Sequence, residues 1–176
     1  ASMLNAIARN EKRGNMEGRL FEIASIFLPK ELPLTEYPDE HEVLCVGLFG
    51  AKENFFTLKG IAETVADSLC LKFTYETCEK TFLHPYQTAA IMCEGIQVGY
   101  LGKVAYDIQD NLDMSESAYL MEIDLAIVSQ WFGKRPMFTP LPKFAEEKRD
   151  LALLMDKEIT CGQVEEAIQE ACNYIK

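Results

Sequence analysis

Val43-Leu-Cys-Val-Gly-Leu-Phe49 is an almost continuous apolar run that stops at Gly50. A run of this length suits a β-strand and is too short for a typical helix. Apolar side chains point to both sides of such a strand, so both of its faces must be covered. We therefore expect this segment to lie in the middle of a sheet.

The stretch after Gly50 has the clearest helical period in the sequence. Thr57 is a suitable N-cap for a helix that runs to about Leu71. The apolar positions of this helix recur at the spacing of one buried face: Leu58, Ile61, Ala62, Val65, Ala66 and Leu69. Short strands are predicted after it at 71–75, 89–93, 98–104 and 118–123, and a hairpin turn at Glu94-Gly95 joins the second to the third.

The segments on either side of this region extend the pattern. Before Val43 we expect a helix that carries Leu4 and Ile7 and ends at Gly14, then a strand over 19–28. The stretch 29–42 contains three prolines and reads as an exposed loop that includes His41. A helix is predicted over 125–132.

The last third of the sequence restarts the pattern after a proline-punctuated connector at 134–142. We expect one strand at 149–155 and one helix at 161–174, with Thr160 as its N-cap. A single strand and a single helix cannot bury both their faces alone. We therefore divide the chain into a core at 1–140 and the start of a second domain at 141–176.

Helices and short strands are mixed without a regular βαβ alternation and without a glycine-rich first turn. This order favours an α+β fold with an antiparallel sheet flanked by helices over a doubly wound fold. No apolar run approaches the ~20 residues of a membrane span, and the first residues lack the pattern of a signal peptide. We therefore expect a cytoplasmic protein with no membrane partner.

The charge balance limits the possible partners. The net charge of −11 comes from 28 acidic against 17 basic side chains, so a polyanion would meet a repulsive surface and a protein partner is expected instead. Few groups can hold ATP phosphates bidentately, because only five arginines occur: Arg9, Arg13, Arg19, Arg135 and Arg149. Six cysteines lack the spacing of a zinc site and are interpreted as structural residues: Cys45, Cys70, Cys78, Cys93, Cys161 and Cys172.

Several short segments, taken in order, resemble one family. They are Met3-Leu-Asn-Ala-Ile-Ala-Arg-Asn-Glu-Lys-Arg-Gly14, Leu20-Phe-Glu-Ile23, Asn54-Phe-Phe-Thr-Leu-Lys-Gly60, Leu83-His-Pro85 with Thr88-Ala89, Gly99-Tyr-Leu-Gly102 and Tyr119-Leu-Met-Glu-Ile-Asp-Leu125. Their order and spacing resemble the class II synthetase-like core of bacterial phenylalanyl-tRNA synthetase β subunits. Arg149-Asp-Leu-Ala152 with Val164-Glu-Glu-Ala-Ile168 is similar to the start of the ferredoxin-like anticodon-binding-type domain that follows this core.

The resemblance implies a core without catalytic residues. Where the related catalytic α subunit brings an arginine to ATP, this chain has Ala24-Ser-Ile-Phe-Leu28. Where that subunit carries a glutamate for the amino group, it has Val43-Leu-Cys-Val-Gly-Leu48, and Met121-Glu-Ile-Asp-Leu125 replaces the third motif. Adenylation needs cations and fixed donors around the phosphates, so no catalytic, cofactor-binding or metal-binding residue is expected in this chain.

The function implied is therefore structural. The chain is expected to support the α subunit within an α2β2 enzyme that attaches phenylalanine to its tRNA with ATP and magnesium, and to meet the tRNA only indirectly. The isolated chain is expected to self-associate, because interface surface and sheet edges would be open.

Two other hypotheses remain open. The first is a small-molecule-binding or regulatory module with a pocket lined by His84, Tyr86 and Gln87. The second is an acid–base hydrolase that uses His84 with Asp107 or Glu122, since imidazole titrates near neutrality. Against both, His84 before Pro85 is typical of a turn histidine that holds the backbone.

Other motifs have ordinary structural explanations. Arg9-Asn10-Glu11 spells Arg-x-Glu but falls on a helix rather than on a strand. Gly99 and Gly102 indicate a bulge or close strand packing. The acids Asp107, Asp110 and Asp113 indicate an acidic helix surface rather than a calcium loop. The charges of Glu53, Lys59 and Glu63 indicate a salt-bridged helix start. The acids Glu165, Glu166 and Glu170 indicate a solvated helix face.

Overall fold

A computed structural model of the chain describes residues 2–133, 138 and 147–172. The chain divides into two compact units, Ala1–Met137 and Phe138–Lys176. The elements of the first unit, in chain order, are α1 (Ser2–Lys12), β1 (Gly18–Leu28), β2 (Asp39–Phe49), α2 (Phe55–Ser68), β3 (Phe73–Glu76), β4 (Leu83–Cys93), β5 (Ile96–Val104), α3 (Tyr106–Asn111), β6 (Ala118–Asp124), α4 (Leu125–Val128) and a 3₁₀ turn (Ser129–Trp131). The second unit contains α5 (Cys161–Ala171).

The six strands form one sheet in the order β1-β2-β6-β5-β4-β3, and every described pairing is antiparallel. The apolar run at 43–49 lies in β2, between β1 and β6, and it is buried throughout. The α+β class, the antiparallel sheet and the interior position of this strand are confirmed.

The two faces of the sheet are covered by different helices. Helices α2 and α4 pack on one face, called here the α2 face, over a core that includes Leu44, Leu48 and Met121. Helix α1 packs on the other face, called here the α1 face, where Ile7 and Phe49 are almost fully buried. Alternate residues of one strand therefore serve two separate apolar clusters, which explains why the 43–49 run is apolar at nearly every position.

Gly47 of β2 lies against helix α1. A Cβ atom at this position would lie 2.8 Å from Met3 Cγ and 2.9 Å from Ile7 Cδ1. These separations are well below ordinary van der Waals contact, so a larger residue here would require the side chains of Met3 and Ile7 to shift. Glycine lets helix and strand pack without that shift.

The predicted hairpin turn is confirmed. Glu94 and Gly95 join β4 to β5 with φ values of 50° and 78°. Positive φ at both central residues is the geometry of a type I′ turn, which matches the twist of the flanking strands.

Two predicted boundaries near α2 are wrong. Asn54, not Thr57, is the N-cap, because Asn54 Oδ1 accepts a hydrogen bond from Thr57 N at 2.9 Å. The helix ends at Ser68 with Leu69 as its C-cap, short of the predicted Leu71. The helix begins earlier than predicted because Phe55, which precedes the periodic positions, packs against the α2-face core.

The predicted loop over 29–42 is also too long. β2 begins at Asp39, which pairs with Leu28 across the hairpin. His41 therefore lies on a strand and is half-buried rather than exposed in a loop, with its Nδ1 2.8 Å from Asp124 Oδ2. This part of the strand was not predicted because its residues are polar, whereas alternating or continuous apolar residues are the main signals of a strand in sequence.

The region after β5 differs from the prediction in smaller ways. Tyr106–Asn111 forms α3, which holds Asp107 and Asp110, so the acidic helix surface is confirmed there, while Asp113 follows the helix with a positive φ of 53°. The helix predicted over 125–132 is α4 followed by a 3₁₀ turn that ends at Trp131.

In the second unit, Thr160 is confirmed as the N-cap of α5. Its side chain and that of Gln163 form a reciprocal capping box. Glu165, Glu166 and Glu170 are exposed, as predicted. The strand predicted over 149–155 is wrong, because these residues pair with no described strand and Leu151, Leu153 and Leu154 are exposed. The predicted connector over 134–142 lies outside the described residues except for Phe138, as does the end of the predicted helix, 173–174.

Glu11 is a buried acid that links α1 to the loop before β6. Its Oε2 accepts hydrogen bonds from Ser115 N at 2.8 Å and Ser115 Oγ at 3.3 Å. We expect Glu11→Ala to lower the free energy of unfolding by about 2 kcal/mol, because Ser115 loses both of its charge-assisted hydrogen bonds to the buried carboxylate. Urea unfolding would measure this, with Arg9→Ala on the exposed side of the same helix as the control. Equal unfolding midpoints for the two variants would contradict the expectation.

Candidate functional site

His84 behaves as a turn histidine, as the ordinary interpretation predicted. Its Nδ1 accepts a hydrogen bond from Tyr86 N at 3.2 Å, and its ring meets the edge of Tyr106 at a centroid distance of 5.5 Å. Tyr86 is 91% exposed. Neither cavity described in the structure is lined by His84, Tyr86 or Gln87. The alternative of a binding pocket at these three residues is therefore not favoured.

The acids proposed to assist His84 do not join it. Asp107 lies in the first turn of α3, and Glu122 lies on β6 directly across from Tyr100 on β5. No hydrogen bond described for residues 2–133 connects His84 with either acid. The arrangement required for acid–base hydrolysis is absent from this part of the chain.

Other sequence motifs have the structural roles expected of them. Arg9-Asn10-Glu11 is helical, within α1. Gly99 and Gly102 are sites of close strand packing, since a Cβ atom there would lie 2.1 Å from Glu122 O and 2.7 Å from Gln87 O, respectively. Among the described residues, no group of three or more histidines, cysteines or acids is placed to hold a metal ion.

The predicted salt-bridged helix start is half correct. Lys59 Nζ lies 2.6 Å from Glu63 Oε1, as the i,i+4 spacing indicates. Glu53 instead joins Arg19 of β1, with Arg19 Nε 2.8 Å from Glu53 Oε1. A partner 34 positions away cannot be read from local spacing.

A cavity of about 720 Å³ lies on the α1 face of the sheet. Its floor is a row of four residues directly opposite one another on neighbouring strands: Glu22 on β1, Cys45 on β2, Glu122 on β6 and Tyr100 on β5. Residues that pair directly across antiparallel strands point to the same side of the sheet. We call these four residues the carboxylate row.

Around the carboxylate row the cavity wall is mostly apolar. It includes Met3, Ile26, Val43, Phe82, Leu112 and Leu120. Ser2 at the start of α1 donates a hydrogen bond from Oγ to Glu22 Oε1 at 2.6 Å. The rings of Phe82 and Tyr100 meet edge to face at a centroid distance of 5.6 Å. Two carboxylates therefore lie in a concave and otherwise largely apolar surface.

The two neutral members of the row are affected by these carboxylates. Burial raises the pKa of the Cys45 thiol to about 12, and the charges of Glu122 and Glu22 add to the effect. Burial also raises the pKa of the Tyr100 hydroxyl, with further contributions from the charge of Glu122 and from a hydrogen bond to it. Both groups stay protonated near neutral pH, so the charge of the row resides on the two glutamates.

We expect Cys45 to resist alkylation. With a pKa of about 12, only about one thiol in ten thousand is a thiolate at pH 8, and the thiolate is the reactive form. Exposed Cys161 provides the internal comparison. Mass spectrometry after brief treatment with iodoacetamide should find Cys161 modified and Cys45 intact, whereas in urea both should react. Equal labelling of the two thiols in the folded chain would contradict this.

A second candidate surface is the outer part of β1 on the α2 face. Phe21, Ile23 and Phe27 project from this face and are 75%, 54% and 60% exposed, respectively. Within the described sheet β1 pairs only with β2, so its other edge leaves backbone groups open. An apolar strand face beside an unpaired edge is typical of a protein–protein interface.

Sequence reasoning missed Glu22, Cys45 and Tyr100 as a group. Alternation along β1 would have placed Glu22 on the same side as Leu20. It would not have shown which residues lie beside Glu22, because the pairing of β2 with β6 brings together residues that are far apart in sequence. Sequence periodicity alone does not give this register.

A family model described as the phenylalanyl tRNA synthetase beta chain CLM domain matches residues 1–125. The phenylalanine–tRNA ligase beta subunit of Clostridium acetobutylicum is 32% identical over 170 residues, which cover 96% of this chain and 21% of that protein. The same subunit from Bacillus subtilis is 33% identical over 181 residues, covering 97% and 22%, respectively. The chain thus spans about a fifth of the length of these relatives. In the part of the chain that the structure describes, no helix combines the length and the hydropathy that a membrane span requires.

Proposed function

We infer the function from one premise, that the chain belongs to the phenylalanyl-tRNA synthetase beta chain family, and propose that it is a non-catalytic scaffold for a catalytic α subunit. In this role it supports ATP-dependent attachment of phenylalanine to tRNA in the cytoplasm without itself binding ATP, magnesium or phenylalanine. The complete enzyme is an α2β2 assembly. The tRNA is engaged mainly by other parts of that assembly, because this chain carries a net charge of −11.

The observation that carries this proposal is the exposed apolar face of β1. Phe21, Ile23 and Phe27 lie on the same face of a sheet-edge strand and contribute little to the core of their own unit. Aromatic residues on an exposed surface are the groups that contribute most to protein–protein binding. The paired hairpin of β1 and β2 presents these side chains on a rigid support.

The finer architecture belongs to the same proposal. We assign residues 1–140 to a class II synthetase-like core, supported by a six-stranded antiparallel sheet with helices on both faces. We assign residues 141–176 to the start of a ferredoxin-like domain, supported by α5 with its capping box and by the separate compact unit that contains this helix.

Isothermal titration of the chain with purified α subunit tests the proposal. We expect binding to the α subunit and no heat of binding with ATP or with phenylalanine in separate titrations. Binding of either small molecule without affinity for the α subunit would overturn the scaffold function.

Self-association of the isolated chain is expected from the same surface. Sedimentation over a range of concentrations should show an average mass that rises with concentration, because the β1 edge and its apolar face are open. A monomer at every concentration would contradict this expectation.

A further inference from the structure

We propose that the cavity over the carboxylate row binds a small organic amine, a protonated ammonium group joined to an aromatic or aliphatic body without a carboxylate of its own. This site is separate from the exposed face of β1, since the cavity lies on the α1 face and Phe21, Ile23 and Phe27 lie on the α2 face. The inference does not depend on the scaffold function.

The shape of the site fits a small molecule. A cavity of about 720 Å³ is within the usual range of ligand pockets, which are concave, mainly apolar and marked by a few polar groups. Here those groups are Glu22, Glu122 and the hydroxyl of Tyr100, all half-buried in the floor, while Ile26, Phe82 and Leu112 provide apolar wall. An aromatic or aliphatic body would lie against the wall and its polar end against the floor.

The charge of the site selects a cation. The described residues that line the cavity include two carboxylates and no lysine or arginine. Glu22 and Glu122 flank Cys45 from the strands on its two sides, so their backbones lie about 10 Å apart, two strand spacings. One ammonium group above Cys45 can be reached by both side chains, whereas an anion at this place would be repelled by both.

The neighbours of the row agree with this selection. Burial is the main cause of the raised pKa of the Cys45 thiol, and the charges of Glu122 and Glu22 each exceed the opposing effect of the amino terminus, so the net potential there favours a positive charge. The ring of Tyr100 makes a cation–π contact with Lys80, whose Nζ lies 4.9 Å from the ring centroid. Lys80 itself is not part of the cavity lining.

Three probes with the same ring and similar length separate charge from shape. Ligand-observed NMR titration of the chain would use 2-phenylethylamine, phenylalanine and 3-phenylpropanoate, which differ in carrying an ammonium, an ammonium with a carboxylate, and a carboxylate. We expect the amine to bind at least about tenfold more tightly than the other two, since charge-assisted contacts with carboxylates are strong and the added carboxylate is repelled. Equal affinity for the amine and the propanoate would overturn the proposal.

Variants test whether the carboxylate row is responsible. Glu22→Gln and Glu122→Gln should each weaken binding of 2-phenylethylamine about tenfold, and the double variant should lose the preference for the amine over the propanoate. Glu42→Gln is the matched control, because it removes the same charge from an exposed residue on the α2 face of β2. If the control weakens binding as much as Glu122→Gln, the amine is attracted by the net charge of the chain and not by the cavity.

A steric variant provides a second measurement that does not depend on charge. Ala24 lines the cavity and is exposed, so Ala24→Trp should occupy part of the space and weaken binding about tenfold while leaving the unfolding midpoint of the chain nearly unchanged. Undiminished amine binding by this variant would show that the ligand lies elsewhere.

Discussion

Gly99→Ala should lower the free energy of unfolding by about 3 kcal/mol or more, among the larger effects of any single methyl group in this chain. The added Cβ atom would lie 2.1 Å from the carbonyl oxygen of Glu122 and 3.0 Å from Ile123 Cα. Both are main-chain atoms of β6, so relief requires a shift of one whole strand against the other. Gly99 and Ile123 form the first pair of the β5–β6 ladder, so the clash acts where the pairing of these two interior strands begins.

Urea unfolding followed by circular dichroism would measure this effect, with Gly60→Ala as the matched control. Gly60 lies within α2, and a Cβ atom there would meet nothing within 4 Å. The same substitution at this position should raise the free energy of unfolding by about 0.5–1 kcal/mol, because alanine favours the helix. A Gly99→Ala chain as stable as the wild type would mean that β5 and β6 do not approach as closely as described.

The double variant Phe21→Thr, Ile23→Thr should reduce affinity for the α subunit about a hundredfold, which corresponds to roughly 3 kcal/mol. This expectation rests on the scaffold function, in which the exposed face of β1 is covered by the partner. Threonine keeps the β-forming tendency of the strand and removes most of the apolar area. Since both side chains are more than half exposed, the stability of the isolated chain should change by less than about 1 kcal/mol.

Titration calorimetry against the α subunit would show this loss, and Tyr86→Thr is the control. Tyr86 is also an exposed aromatic residue on a strand, but β4 lies four strands from β1 in the sheet. Loss of affinity in the Tyr86 variant, with full affinity retained by the double variant, would place the interface at the other side of the molecule.

Much of this fold could be predicted from local patterns. The run at 43–49 identified an interior strand because two faces of packing leave little room for polar residues. Thr160 was correctly placed as a cap, and Glu94-Gly95 as a hairpin turn, because both depend on neighbours in sequence. Prediction failed where distant contacts decide the outcome. Asn54 became the cap of α2 because Phe55 packs into the core, and His41 joined a strand whose partner, β6, supplies Asp124.

The candidate sites were harder to predict than the fold. His84 drew attention through its chemistry, although its contacts with Tyr86 and Tyr106 are structural. Glu22 and Glu122 were not paired in sequence reasoning, because they meet only through two successive strand pairings, β1 with β2 and β2 with β6. The exposure of the apolar residues of β1 was equally hard to predict, since the same residue types are typical of a buried strand.

The pairing of β2 with β6 also bears on how the chain reaches its fold during synthesis. Val43 and Asp124 are paired although they are 81 positions apart, whereas β4 and β5 are joined by a two-residue turn. Local hairpins can close early, but the central ladder must wait for the last strand, and such long-range pairings make folding slow. At a typical ribosomal rate, β2 has emerged on the order of ten seconds before its partner is made. During that interval the apolar run at 43–49 has β1 alone beside it, and aggregation competes with folding.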